Sequence, residues 1–349
     1  MKALVTGASG FLGANVVKEL LAAGAGVRAL ILPGDPAPNL AGLDGVERVT
    51  GEVTDSEVVR RALGGCDALF HLAAIYRFWL PDPSLIFRVN IEGTRIVMQE
   101  AERAKVARVV HTSSGITCGL PRAGKPSDET TPYETDMVVG SYRATKYESE
   151  NIALEFARRG LPVVVVNPTV PLGWGDVAPT PTGTLILSYL NGLLKLAPAW
   201  NLNVVSVRDV ARGHVMAARQ GRVGEKYILG GENLPFREVL GILDELTGLG
   251  VPWGMVPPRV LPPLGYVSEL VSGWITRREP LLSRESARIM ITGYVFDVSK
   301  TRRELDVDPL PARVALEEAV EWFMNTRLVR AAQKKRYHAH CDKRRAAGS

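Results

Sequence analysis

Tyr142 and Lys146 stand one helical turn apart in Tyr142-Arg143-Ala144-Thr145-Lys146. At this spacing both side chains fall on one face of a helix. A free phenol titrates at about pH 10 and is a poor base at neutral pH. An adjacent ammonium favours the phenolate, and such a tyrosine exchanges a proton with a substrate hydroxyl. Upstream, Thr112-Ser113-Ser114 closes an apolar run. Ser114 is the candidate for hydrogen-bonding the reacting oxygen, with Ser113 and Thr117 as fallbacks. A Tyr-x-x-x-Lys pair alone is commonly a solvated helix face. Its order after a Ser-Ser strand end and an opening glycine turn argues for chemistry.

That turn is Thr6-Gly7-Ala8-Ser9-Gly10-Phe11-Leu12-Gly13, between an apolar strand and a helix. Gly7 permits the tight turn, Gly10 admits a pyrophosphate and Gly13 lets helix and strand pack closely. The helix N-terminus offers free N–H groups to phosphates, so the segment reads as a dinucleotide site. An acidic residue ending the second strand selects NAD, and a nearby Arg accommodates the extra phosphate of NADP. Here Ile31-Leu32-Pro33 supplies neither. No Lys or Arg occurs between Ala29 and Glu47, while Asp35 lies just past the strand. The cofactor reads as NAD or NADP with a lean to NAD, which Arg28 or a distant basic residue would reverse.

The elements that must position these groups alternate. Strands are predicted at Lys2–Val5, Gly26–Leu32, Glu47–Gly51, Ala68–His71, Arg108–Thr112 and Pro162–Asn167. Helices are predicted at Phe11–Ala23, Ser56–Leu63, Asn90–Ala104 and Tyr142–Arg158. Continuous apolar strands such as Val163–Val166 suit a sheet covered on both faces. The fold class is therefore α/β, a doubly wound parallel sheet of the Rossmann kind with a smaller C-terminal substrate-binding region. Residues 1–166 form the dinucleotide domain, with 201–220 expected to return to it. Residues 167–200 and 221–326 form the substrate region, and 327–349 a basic tail read as a helix end that frays.

Composition narrows the function. The chain has 349 residues, 46% of them hydrophobic and 23% charged, enough to bury a core without crosslinks. Three scattered cysteines (Cys66, Cys118, Cys341) make no disulfide framework, favouring a reducing, cytoplasmic setting. No signal peptide or membrane span is read. The net charge of +5 resides in the tail, where eight Lys or Arg face one Asp after Met324. A basic tail with a slightly acidic body argues against nucleic acid and makes the tail a candidate for contact with an anionic membrane surface. His338-Ala339-His340-Cys341 has no second ligand pair, so no metal site is read.

The glycine turn, Ser114, Tyr142 and Lys146 resemble those of the extended short-chain dehydrogenase/reductases, the NAD-dependent epimerase/dehydratase family. Asp67-Ala-Leu-Phe-His-Leu-Ala-Ala74, Asn90-Ile-Glu-Gly-Thr94 and Asn167-Pro168 extend the resemblance from Met1 to about Thr326. Within the family, Tyr76-Arg-Phe-Trp-Leu-Pro-Asp-Pro83, Pro179-Thr-Pro-Thr-Gly183, Tyr227-Ile-Leu-Gly-Gly-Glu-Asn233 and Arg302-Arg-Glu-Leu305 are most similar to hopanoid-associated sugar epimerases and dihydroflavonol reductase-like proteins. That resemblance implies an oxidoreductase or epimerase in which Tyr142 and Lys146 are catalytic and Lys146 also holds the nicotinamide ribose. It implies a cofactor lined by Gly7, Ser9, Gly10, Phe11, Leu12, Gly13, Leu32, Glu52, Val53, Leu72, Ala73, Ala74, Asn90, Thr112, Asn167 and Pro168. It further implies a homodimer.

The nucleotide-sugar members of that family grip the diphosphate with an Arg where this chain has Leu202. Without this cation a diphosphate loses charge-assisted bonds worth about 1.5–3 kcal/mol each. The expected small-molecule substrate is therefore a sugar-like or polycyclic compound without a nucleotide, and the resemblance implies hopanoid side-chain metabolism as its setting. Tyr76, Phe78, Trp79, Trp174 and Tyr189, with Ser114, are the candidate lining of its site. A dihydroflavonol-reductase-like NADPH-dependent carbonyl reductase is the alternative. A dinucleotide sensor without turnover comes third.

Overall fold

Strand and helix alternate from the first residues of the computed structural model, which describes residues 1–121, 125–133, 140–272, 274, 280 and 282–348. The first half runs β1 (Lys2–Thr6), α1 (Phe11–Ala22), β2 (Gly26–Ile31), β3 (Val46–Thr50), α2 (Ser56–Leu63), β4 (Ala68–His71), α3 (Ser84–Phe87), α4 (Thr94–Ala104), β5 (Arg108–Thr112), α5 (Ser141–Arg158) and β6 (Val163–Pro168). The predicted helix at Asn90–Ala104 has a longer lead: a wide π turn at Arg88–Gly93 joins α3 to α4. The second half runs β7 (Val170–Leu172), α6 (Pro181–Leu190), β8 (Leu196–Pro198), β9 (Asn201–Ser206), α7 (Val207–Gln220), β10 (Lys226–Leu229), β11 (Glu232–Pro235), α8 (Phe236–Thr247), β12 (Gly254–Val256), α9 (Leu261–Val271), α10 (Arg284–Thr292), α11 (Ser299–Leu305), α12 (Ala312–Met324) and α13 (Ala331–Gly348).

Seven parallel strands form the main sheet in the order β10-β6-β5-β4-β1-β2-β3. Val163 to Val166 are fully buried, as a strand covered on both faces requires. One face packs Val16, Val17 and Leu20 of α1 with Val210 and Val215 of α7. The other packs Val59 of α2, Val97 and Met98 of α4, and Ile152 and Phe156 of α5. The strand order reverses between β1 and β4. A crevice outside the carboxyl ends of the strands opens at such a point.

Two expectations about the second half are corrected. Only α7 of residues 201–220 returns to the main sheet. β9 pairs instead with β7 and β11, because Leu202 and Val204 face a second core built on Phe236 and Leu316. β10 is the strand that joins β6. Nor are residues 327–349 only a helix end that frays: α13 is a helix of their own, docked on the end of α8. His340 Nε2 and Arg344 donate to Glu245 O, and Arg336 donates to Leu249 O. These donors satisfy carbonyls that the end of a helix leaves without partners. Among the described residues no helix is long and apolar enough to cross a membrane.

Candidate active site

The glycine turn leaves β1 with Gly7 at φ 66°. A Cβ on Gly7 would sit 2.8 Å from Ala73 N, so β1 and the residues after β4 approach as only glycine allows. A Cβ on Gly13 would lie 2.0 Å from Gly7 O. α1 starts at Gly10 with no side-chain cap, which leaves its first N–H groups turned to the crevice. A cavity of about 490 Å³ runs from this turn to the start of α5. It is lined by Gly7, Ser9, Gly10, Phe11, Leu12, Gly13, Leu32, Glu52, Val53, Leu72, Ala73, Ala74, Thr112, Ser114, Tyr142, Lys146 and Pro168. The close backbone approaches, the uncapped helix and the length of this trough fit a dinucleotide.

A second cavity of about 590 Å³ begins where the first ends. Tyr76, Ser114, Tyr142, Thr169 and Thr182 line both. Beyond them the walls are Phe78, Trp79, Leu185, Leu193, Trp200, Leu202, Leu282, Met290, Tyr294 and Phe296, and no charged side chain among the described residues lines it.

Tyr142 stands at the junction. Its ring lies 4.7 Å from that of Tyr76 and 5.7 Å from that of Phe78. Burial pushes the phenol well above its ordinary value, and a hydrogen bond with the Ser114 hydroxyl opposes the rise. Lys146 is buried and donates to Thr112 O at 2.6 Å. Burial pulls its ammonium down to about 8, against the attraction of Glu150. The sequence reading of a phenol acidified by its lysine neighbour is thus corrected. Lys146 is not among the groups that shift Tyr142, and desolvation outweighs what remains.

The three hydroxyls left open by the sequence separate. Ser113 Oγ and Thr117 Oγ1 both donate to the buried Glu150 carboxylate, at 2.5 and 2.6 Å. Asn167 Nδ2 and Lys226 Nζ donate to the same carboxylate, at 2.7 and 3.1 Å. This network fixes the turn after β5 and leaves Ser114 facing Tyr142.

Four predicted residues lie elsewhere. Asn167 is bound in the Glu150 network. Asn90 is buried behind the trough, where it accepts from Ile75 N and donates to Thr145 Oγ1. Tyr189 is buried in the second core with its hydroxyl on Thr247. Trp174 packs edge-on against Trp322 outside both cavities. Arg28 does not enter the trough either: it donates to Ala62 O and Gly64 O and pairs with Glu47.

Glu285 was not singled out from the sequence. It reaches from α10 to accept from Tyr142 N at 3.3 Å and Arg143 N at 2.7 Å, capping the helix that carries the phenol. Gly140 precedes that helix at φ 106°, and a Cβ there would lie 2.0 Å from Glu285 Oε2. Burial pushes the Glu285 carboxyl up to about 8, opposed by these backbone N–H groups and by Arg143. No local pattern announces this residue, since α5 and α10 are far apart in sequence. Trp200, Tyr294 and Phe296 were missed as cavity walls for the same reason.

The model of the NAD dependent epimerase/dehydratase family matches residues 3–230. Sterol demethylase protein B of Methylococcus capsulatus is 38% identical over 93% of this chain and 98% of its own length. A Synechocystis protein named "Putative dihydroflavonol 4-reductase" is 35% identical over 92% of this chain and 94% of its own. The crystal structure of gox2253 superposes with a TM-score of 0.84 at 37% identity, covering 94% of this chain and 99% of that one. With two-thirds of its length under the family model and full-length relatives above the level of fold likeness, the chain belongs to the NAD-dependent epimerase/dehydratase family, whose members are NAD(P)-dependent oxidoreductases, epimerases and dehydratases.

Proposed function

We propose that the protein reduces a ketone, or oxidises the corresponding secondary alcohol, on an uncharged polycyclic or isoprenoid substrate, with Tyr142, Lys146 and Ser114 as its catalytic residues. The observation that carries this reading is the junction at Tyr142 and Ser114 between a dinucleotide trough and a large cavity without charged walls. A sugar nucleotide would enter that cavity with its diphosphate unpaired, at a cost of several kcal/mol. Leu202 lines the wall where a cation would be needed. A volume near 600 Å³ is in the range of sites for rigid drug-sized ligands. The sterol-named relative supports the same class, and a pentacyclic hopanoid falls within it.

When bound, a nicotinamide dinucleotide gives or takes the hydride. Gly7, Gly10, Gly13 and the first N–H groups of α1 would hold its pyrophosphate, and Lys146 and Thr112 the region near the reactive ring. Because burial raises the phenol, Tyr142 holds its proton at neutral pH and serves as proton donor to a ketone oxygen. Ser114 hydrogen-bonds that oxygen and the phenol. Burial lowers the Lys146 ammonium to about 8, which still leaves it mainly protonated at pH 7, and its bond to Thr112 O holds it on the trough, where it would bind the ribose next to the reactive ring. An epimerase cycle would use the same groups, with hydride returned to the other face. The dihydroflavonol reductase-like relative favours net reduction, and Tyr76, Phe78 and Trp79 would stack on an aromatic substrate equally well. Leu32 and Glu52 stand at the rim of the trough and Arg28 is held away from it, which supports NAD over NADP against Arg88, the arginine that does line it.

The test supplies NADH deuterated at its reactive carbon together with sterol, triterpenoid and flavanone ketones and, separately, UDP-sugars. Deuterium is expected at the new carbinol carbon of a neutral polycycle. Tyr142→Phe is expected to lower turnover roughly 10²- to 10⁴-fold while leaving NADH affinity in place. Turnover of UDP-sugars alone, or full activity in Tyr142→Phe, would overturn the reading.

A further inference from the structure

We infer that α9 and the β12 turn before it form a docking surface for an anionic phospholipid membrane, at the mouth of the apolar cavity. A surface helix normally turns its apolar stripe to the core. α9 does the reverse. Leu264, Val267, Leu270 and Val271 recur on its outward side, each between 41% and 56% exposed, and Trp274 beyond its end is 86% exposed. Its inward side carries one buried leucine, Leu261 in the first turn, and is otherwise small or polar. Gly265 packs on Ser283 and Ala287 of the α10 region. Ser268 Oγ accepts from Leu282 N, and Glu269 accepts from Arg284 N and Nε.

The apolar face continues beyond α9. Val260 leads into the helix, and β12 before it carries exposed Met255. Trp253, 84% exposed, donates its backbone N–H to Lys195 O, and β12 pairs with β8, where Leu196 is exposed. Exposed apolar surface of this extent marks an interaction site. Tryptophans with one face dry and one wet favour the interface of a bilayer.

The charges at its border select the occupant. Lys195 Nζ lies 5.2 Å over the Trp253 ring. Arg259 stands exposed between β12 and α9. Arg336 reaches Leu249 O from the basic helix α13, beside the same turn. An apolar face fringed by cations matches an anionic lipid surface. A second copy of the chain related by a two-fold axis would bring this cationic fringe against itself.

The surface also adjoins the route to the cavity. Leu193 lines the cavity and is 56% exposed, and Leu282, tied to Ser268 of α9, forms another part of its wall. A water-insoluble substrate would then pass from the bilayer into the cavity without crossing water. That use rests on the proposed substrate class; the docking surface itself stands on α9 and its fringe.

The test is flotation of the full chain with vesicles of equimolar phosphatidylcholine and phosphatidylglycerol, and with vesicles of phosphatidylcholine alone. The chain is expected to float with the mixed vesicles and more weakly with the neutral ones. The triple variant Leu264→Glu, Val267→Glu, Leu270→Glu changes only outward positions. It is expected to lose about tenfold or more of the bound fraction while its NADH affinity, read by fluorescence, and its thermal unfolding stay as in the parent. The inference is overturned if the parent stays with the unbound fraction, if the triple variant floats equally well, or if sedimentation shows that the variant splits a dimer with no change in vesicle binding. Failure of the substrate reading shows separately, as absent hydride transfer to detergent-dispersed ketones by a parent that still floats.

Discussion

Glu285→Gln separates the charge of the cap on α5 from its shape. The carboxyl is 2% exposed and accepts two backbone N–H groups. Its pKa rises from an ordinary 4.5 to about 8 in the folded chain. A raised carboxyl means that the native state binds a proton the unfolded state has released. Its contribution to stability is therefore full below pH 4.5 and is lost as the pH rises towards 8. Between pH 6 and pH 8 the loss amounts to about 2 kcal/mol. Gln cannot titrate, and it keeps one oxygen for the helix N-terminus. The parent-minus-variant difference in unfolding free energy, from urea titrations at pH 6, 7 and 8, should fall by about that amount. The buried histidines His71 and His214, held down to about 3 and 4, act in both proteins and cancel. A difference that stays flat across this range would refute the claim that a buried, proton-retaining carboxyl caps α5. So would one that grows with pH.

Two further changes address the trough. Gly13→Ala places a methyl 2.0 Å from the Gly7 carbonyl, and backbone cannot rotate aside as a side chain can. Overpacking of this kind costs about 1–3 kcal/mol, and an NADH titration should show an affinity loss of tenfold or more; unchanged affinity would remove this turn from cofactor binding. Leu32→Arg adds a cation at an exposed rim position. The parent is expected to bind NADH more tightly than NADPH, and the variant to gain about tenfold or more for NADPH through a charge-assisted bond worth about 1.5–3 kcal/mol; competition titrations in which NADPH already wins in the parent would reverse the cofactor preference.

The dinucleotide half of the molecule was legible because its signals are local. A glycine turn is a backbone requirement written in three positions spaced three residues apart. Val163–Val166 states its own burial, and helical spacing alone brings Tyr142 and Lys146 to the same cavity. The trough residues follow from the same strand ends, which explains why so many of the expected positions line it. Leu202, noted as a missing cation, faces the second cavity.

The second half was harder to read, because its contacts join segments that have no sequence relation. The exposure of Trp174 and the burial of Tyr189 depend on where α12 and α8 pack, not on the residues beside them. Glu285 acts on a helix more than a hundred positions away. The apolar wall of Trp200, Tyr294 and Phe296 joins two segments far apart in the chain, one before β9 and one after α10. What the sequence determined by itself was the sheet, the glycine cradle and the Tyr–Lys–Ser order, since each is set by local backbone geometry or by fixed helical and strand periods. The tertiary structure alone decided which hydroxyl stays available, whether desolvation or a neighbouring charge governs the phenol, and which face of α9 meets solvent. Those outcomes depend on burial, and burial is a property of distant elements packed together.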